Sequence, residues 1–297
     1  MEIEVQDTCT LLSQMYSMPT EDRKNFFRQQ LMMPFEKMWT TINVPMIAKK
    51  PNGYDVLMAT EMLGLLKADD DERFRVGIEA LKNAHAWEVA KSALIEIHEY
   101  ARGSGLVDGL EKVLLGLYLG DPEKYKHHNG YTGFGGIPGY ILLMIYPNDY
   151  NLPRLPALIA HEFHHNIRLL HCKWDHANIT LGEYIVIEGL ADAFAEEMYG
   201  RALMGPWVTD FPQDDLEYSI EVIRSNFGLK GFGNISSYMF GDRIAETMGY
   251  PRVGLSDFAG YAVGYNLVSR FLKKNRMSVL EATCRSAEEI LSINISS

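Results

Sequence analysis

From Glu21 to about Arg102, apolar residues recur three and four apart: Phe26, Met33 and Phe35, then Phe74, Ile78 and Leu81, then Leu94 and Ile97. That period is the mark of helices that bury one face. Breaks fall at Pro51-Asn52-Gly53 and Ala68-Asp69-Asp70-Asp71, and Gly103-Ser104-Gly105 closes the region. Two short apolar runs follow, Val113 to Leu119 and Ile141 to Tyr146, bounded by turn residues, and both read as strands. Between them Asn129 to Gly139, rich in glycine and aromatics, reads as a loop. From Leu155 the helical period returns, over Leu155 to Leu170, Leu181 to Tyr199, Asp215 to Asn226 and Phe258 to Lys274, with a short tail helix. The pattern predicts an α+β fold, mostly helical, with a helical N-terminal region over 1–105 and a second region over 106–297. A small sheet is expected beside the helices of the second region. No internal repeat and no low-complexity tract interrupts it.

Composition narrows the range of functions. With 297 residues, 47% of them hydrophobic and 23% charged, the chain can fill a core, which excludes intrinsic disorder. Lys and Arg number 28 against 39 Asp and Glu, a formal charge of −11 that repels phosphate backbones and anionic lipid surfaces. No nucleic acid and no membrane is therefore expected as a partner. The longest strongly apolar stretch, Tyr140 to Tyr146, is far below the roughly 20 residues of a membrane-spanning helix. The first twenty residues lack a basic start and an apolar run, so no secretory leader is expected. Cys9, Cys172 and Cys284 are odd in number and widely spaced, which fits a reducing compartment and a cytoplasmic location.

The chemistry sits on two of the expected helices. His161-Glu162-Phe163-His164-His165 has the pattern H-E-x-x-H. Positions four apart on a helix differ by about 40° around the axis and about 6 Å along it, so His161 and His165 point the same way and can share one ion. Two imidazoles suit zinc. Glu162, about 100° round from His161, can take a proton from water without being a ligand. An amphipathic helix with surface histidines is the bland alternative, yet such a motif arises by chance only about 0.02 times in a chain of this composition. Leu155, Ala157, Leu158, Ile159 and Ala160 also make the start of this helix apolar nearly all round, so polar residues further along need partners.

A catalytic zinc wants a third protein ligand, and Glu188 offers one on the next helix. Asp192, four residues on, shares its face and can accept the spare N–H of a ligating histidine, fixing the tautomer. Gly189 between them would let the two helices approach closely. A solvated carboxylate is the plain alternative for Glu188 taken alone.

His161, Glu162, His165, Glu188 and Asp192 together resemble the gluzincin metallopeptidases, whose pattern is H-E-x-x-H followed by E-x-x-x-D on the next helix. More narrowly, AHEFHHNIR with IEGLAD downstream and then GYAVGYNLV is similar to the bacterial predicted zinc-dependent proteases typified by YjaZ, over roughly the last two thirds of the chain. The resemblance implies a thermolysin-like catalytic core over 106–297, a small sheet beside the active helix, bound Zn2+ and a peptide or protein substrate. It also implies a strand before the active helix whose free edge accepts an extended peptide. Ile141 to Tyr146 is the candidate, which would put Gly136, Ile141 and Leu143 on the substrate side, although an ordinary hairpin explains the glycines before it equally well. Tyr261-Ala262-Val263-Gly264 is similar to the Y-x-x-G of gluzincin aminopeptidases, implying that Tyr261 steadies the oxyanion; Tyr265 is the neighbouring alternative. A G-x-M-E-N segment is not visible, so exopeptidase specificity does not follow.

Other polar clusters carry less. His164 reads as a cleft-rim residue or one that supports the ligands, His171, Asp175 and His176 as a solvated loop or a second metal site, and Cys172 as a soft ligand only if the main assignment fails. His127 and His128 could touch substrate. The rival functions are another zinc-dependent hydrolase, and a non-enzymatic binding or chaperone-like protein whose metal is structural and closed by a fourth ligand.

Overall fold

The computed structural model describes residues 1–51, 53–172, 175 and 178–292, the side chain of His128 excepted. The chain is mostly helical with one four-stranded sheet, and it divides into two compact units: 1–100 with 107–166, and 101–106 with 167–297. No helix among the described residues is long and apolar enough to cross a membrane.

The first unit opens with strand β1 (Glu2–Val5) and helices α1 (Thr8–Tyr16), α2 (Thr20–Phe26), α3 (Glu36–Thr41), α4 (Val56–Leu63), α5 (Asp71–Asn83) and α6 (Ala86–Arg102). Strands β2 (Lys112–Leu119), β3 (Tyr131–Ile137) and β4 (Tyr140–Ile145) follow, then α7 (Leu155–His171), whose last turn falls in the second unit. The sheet order is β1-β2-β4-β3, with β1, β2 and β4 parallel and β3 antiparallel to β4. β2 is buried along seven of its eight residues, as its unbroken apolar sequence requires of a strand covered on both faces. Leu31, Met32, Phe35, Trp39, Leu115, Leu117 and Tyr118 fill this core. Inside it the Tyr118 hydroxyl donates to Gln6 Oε1 at 2.5 Å, while Gln6 Nε2 donates to the Leu31 carbonyl at 3.0 Å, so these buried polar groups are paired.

Two features depart from the sequence pattern. β1 is a strand in a region expected to be helical; it has only four residues, and its partners lie more than a hundred positions away. β3 forms where a glycine-rich loop was expected, held by its ladder to β4. Its register shifts between Phe134 and Ile137, a bulge that sets Gly135 and Gly136 against Ile141.

The second unit is built on α8 (Leu181–Tyr199), with α9 (Pro206–Thr209), α10 (Gln213–Arg224), α11 (Phe232–Phe240), α12 (Asp242–Thr247), α13 (Ala259–Asn275), α14 (Val279–Ala282) and α15 (Ala287–Leu291) around it. A capping box starts α8: Thr180 Oγ1 accepts from Glu183 N at 3.1 Å, and Glu183 Oε2 accepts from Thr180 N at 2.8 Å. From Leu181 to Ala195 almost every residue of α8 is buried. A Cβ added to Gly189 would come within 2.3 Å of the Gly264 carbonyl oxygen, and one on Gly264 within 2.2 Å of the Ile185 carbonyl oxygen. Gly189 therefore serves the packing of α8 on α13. Ile185, Ile220, Ile223, Ile235, Met239, Val263 and Leu267 complete this core.

Candidate metal centre

The apolar start of α7 buries its middle, and the H-E-x-x-H residues are carried inward with it. His161 is half-buried, whereas Glu162 and His165 are 4% and 8% exposed. The Nε2 atoms of His161 and His165 stand 3.1 Å apart, with ring planes at 88°. Two nitrogens held at about 2.0–2.1 Å from one tetrahedral zinc stand about 3.3 Å apart, so the pair already has the spacing of shared ligands. His161, His165 and Glu188 each offer a ligand atom, all within 4.8 Å of one another, and among the described residues they form the sole such group of three or more. Two imidazoles and a carboxylate are a donor set that zinc accepts. Glu188 is buried, and a cation bound there would offset the cost of burying its carboxylate.

Glu162 lies against β3. A Cβ on Gly133 would fall 2.3 Å from Glu162 Oε1, and one on Gly135 2.2 Å from the Glu162 backbone oxygen. Those two glycines, one face of the strand, are what lets α7 press this close. Gly139 turns the hairpin with φ of 93°. Gly136 differs, since a Cβ there would meet only the Phe134 ring at 3.4 Å, an ordinary contact.

The strand expected to offer a free edge does not have one. β4 runs between β2 and β3, and both Ile141 and Leu143 are fully buried, so neither can line a substrate channel as expected. The outer strand beside α7 is β3. An unbroken apolar run marks an interior strand, and the glycines that disguise β3 as a loop are those its contact with α7 requires.

Asn166, one residue beyond the motif, escaped the sequence reading. It is fully buried. Its Nδ2 donates to the carbonyls of Gly135 at 2.7 Å and Tyr140 at 3.1 Å, and its Oδ1 accepts from Gly139 N at 2.7 Å. The available signal was an amide on a helix whose apolar start implies burial, where such a group needs several partners.

In the second unit Glu188 and Asp192 are 7% and 1% exposed. Asp192 Oδ2 accepts from the Trp207 indole N–H at 2.8 Å, a contact no spacing rule announces. Trp207 packs on Tyr261 and Phe258 at ring separations of 5.7 and 5.2 Å, and Tyr261 also meets Phe240 at 6.1 Å. Tyr261 thus stands in the first turn of α13, in an aromatic group tied through Trp207 to Asp192. Phe258, just before that turn, has φ of 61°, a strained setting for so bulky a residue. Tyr265 is committed elsewhere: its hydroxyl donates to Glu196 Oε2 at 2.6 Å and accepts from Arg201 Nη1 at 2.7 Å. Burial, and then the bond to Glu196, push its pKa up to about 12.

The remaining candidates scatter. His164 is fully buried, so it is not a rim residue. His171 Nε2 meets the Leu106 carbonyl oxygen at 2.8 Å, and His176 lies outside the described residues. Cys172 stands beside Cys284, whose thiol burial pushes up from its ordinary value. His127 is the middle residue of the turn Lys126–His128 that precedes β3.

Comparison with known proteins adds three findings. The family model described as "Predicted Zn-dependent protease (DUF2268)" matches residues 86–292, which takes in α7, α8 and α13. The chain is 46% identical over 292 residues to "Uncharacterized protein YjfC" of Bacillus subtilis (strain 168), covering 98% of each chain. It is 25% identical over 150 residues to "Uncharacterized protein YjaZ" of the same organism, covering 50% of this chain and 54% of that one. No solved structure matches.

Proposed function

Because the chain belongs to the family of predicted Zn-dependent proteases, we propose that it is a zinc peptidase of gluzincin type, with His161, His165 and Glu188 as ligands and Glu162 as general base. The observation that carries this reading is the convergence of two histidines and one glutamate, with Glu162 next to the first histidine. Two histidines and one glutamate are a ligand set that catalytic zinc sites use, with a further position left for water or substrate.

Zinc, when bound, supplies a Lewis acid for the scissile carbonyl and lowers the pKa of water. Glu162 takes a proton from the attacking water and returns it to the leaving amine. Glu162 lies against β3 where Gly133 and Gly135 leave the strand without side chains. Asp192, held in place by the Trp207 N–H, would orient a ligating histidine. The Tyr261 hydroxyl would donate to the oxyanion. An extended peptide would pair with β3, the outer strand, by main-chain hydrogen bonds.

The test is digestion of a peptide library by the purified protein, read by mass spectrometry, with Glu162→Gln in parallel. The amide keeps the shape of the side chain and loses its basic oxygen, so turnover should fall about 10²- to 10⁴-fold with zinc retained. Near-native turnover in the variant would remove Glu162 from the reaction. A library left intact by the wild-type protein, with ester or other amide substrates cleaved, would favour a different hydrolase.

A further inference from the structure

We propose that Asn166 is a positioning residue that locks the bulged tip of the β3–β4 hairpin onto α7 and so holds β3 at a fixed height beside Glu162. The bulge takes Gly135 and Gly136 out of one-to-one pairing with β4, which loosens the outer strand where it passes the helix. Asn166 reaches that point from the helix. Its amide N–H groups hold the Gly135 and Tyr140 carbonyls on the two sides of the tip, and its oxygen holds the Gly139 N–H in the turn. One side chain thus bonds both strands and the turn, from a position four residues beyond Glu162 on the same helix.

The glycine contacts show why such a tie is needed. Gly133 and Gly135 present no side chain to α7, so the placement of β3 there cannot come from side chains interdigitating at those two positions. Directional bonds supply the missing specification. Only asparagine or glutamine offers both donors and an acceptor on one planar group, and the shorter asparagine suits the close approach.

The role in substrate handling rests on the peptidase reading; the mechanical role does not. The experiment compares Asn166→Leu and Asn166→Asp with wild type by amide hydrogen exchange, zinc content and kinetics on fluorescent casein. In Asn166→Leu the Gly139 amide should exchange about tenfold faster, the effect of losing one buried hydrogen bond. Asn166→Asp keeps the acceptor, so Gly139 should stay protected while the strand shifts away from the carboxylate. Both variants should bind zinc as wild type does. Both should raise KM for casein about tenfold with kcat near wild type, because binding of the substrate strand, not the chemistry, is what suffers. Wild-type exchange at Gly139 in Asn166→Leu would overturn the proposal, as would wild-type KM in Asn166→Asp or a loss confined to kcat. Should Asn166→Leu not fold, the KM of Asn166→Asp decides. Should the wild-type protein leave casein intact, the peptidase reading fails, and the exchange rates alone decide the tie.

Discussion

Two glycine contacts, one in each unit, look alike and do different work. Between α8 and α13, Gly189 and Gly264 bring backbone against backbone: the atoms that a Cβ would strike are carbonyls and an amide nitrogen in helix interiors. Between β3 and α7, Gly133 brings backbone against the end of one side chain, the carboxylate of Glu162. The first contact cannot give without parting two buried helices. The second can give, because a glutamate has rotamers to spare, and what yields is the position of the proposed base. Identical residues thus serve scaffold in one place and chemistry in the other, and the neighbouring atom decides which.

The largest expected effect separates the two tyrosines of α13. Tyr261→Phe should lower kcat about 10²- to 10³-fold with KM little changed, the usual loss of a transition-state donor. Tyr265→Phe breaks the hydroxyl's links to Glu196 and Arg201 and should leave kcat near wild type. The reverse result would shift the assigned donor by one helical turn.

Gly133→Ala should come next. The added methyl displaces the Glu162 carboxylate, and a misplacement of about 1 Å can cost about 10²-fold in rate, while melting temperature should hardly move. Gly189→Ala should do the opposite. Replacing glycine inside a helix gains about 1 kcal/mol in propensity, but overpacking against rigid backbone costs up to about 3 kcal/mol, leaving a net loss near 2 kcal/mol by urea titration. The folded fraction should keep its specific activity. If both variants lost activity and kept stability, the division between scaffold and chemistry would collapse. Gly136→Ala should change neither quantity, since that position has room for a methyl group.

Much of this arrangement is legible in the residues and some is not, for physical reasons. α7 and α8 announce themselves because each buries long apolar stretches, and because Thr180 and Glu183 cap the second. The spacing of four that places His161 over His165, and Glu188 over Asp192, is a property of any helix. β1 is illegible because a strand of four residues is decided by its partner β2 and not by its own pattern. Reading Ile141 to Tyr146 as a free edge inverts what an unbroken apolar run means, and the true outer strand hides behind Gly133, Gly135 and Gly136. Trp207 and Asn166 act through tertiary contacts, so their types were visible and their partners were not.

The central claim is that His161, His165 and Glu188 hold one zinc ion. Elemental analysis of the purified protein beside the His161→Ala/His165→Ala double variant tests it most directly. One zinc per chain in the wild type and none in the variant is the predicted result; equal zinc in both would contradict the assignment.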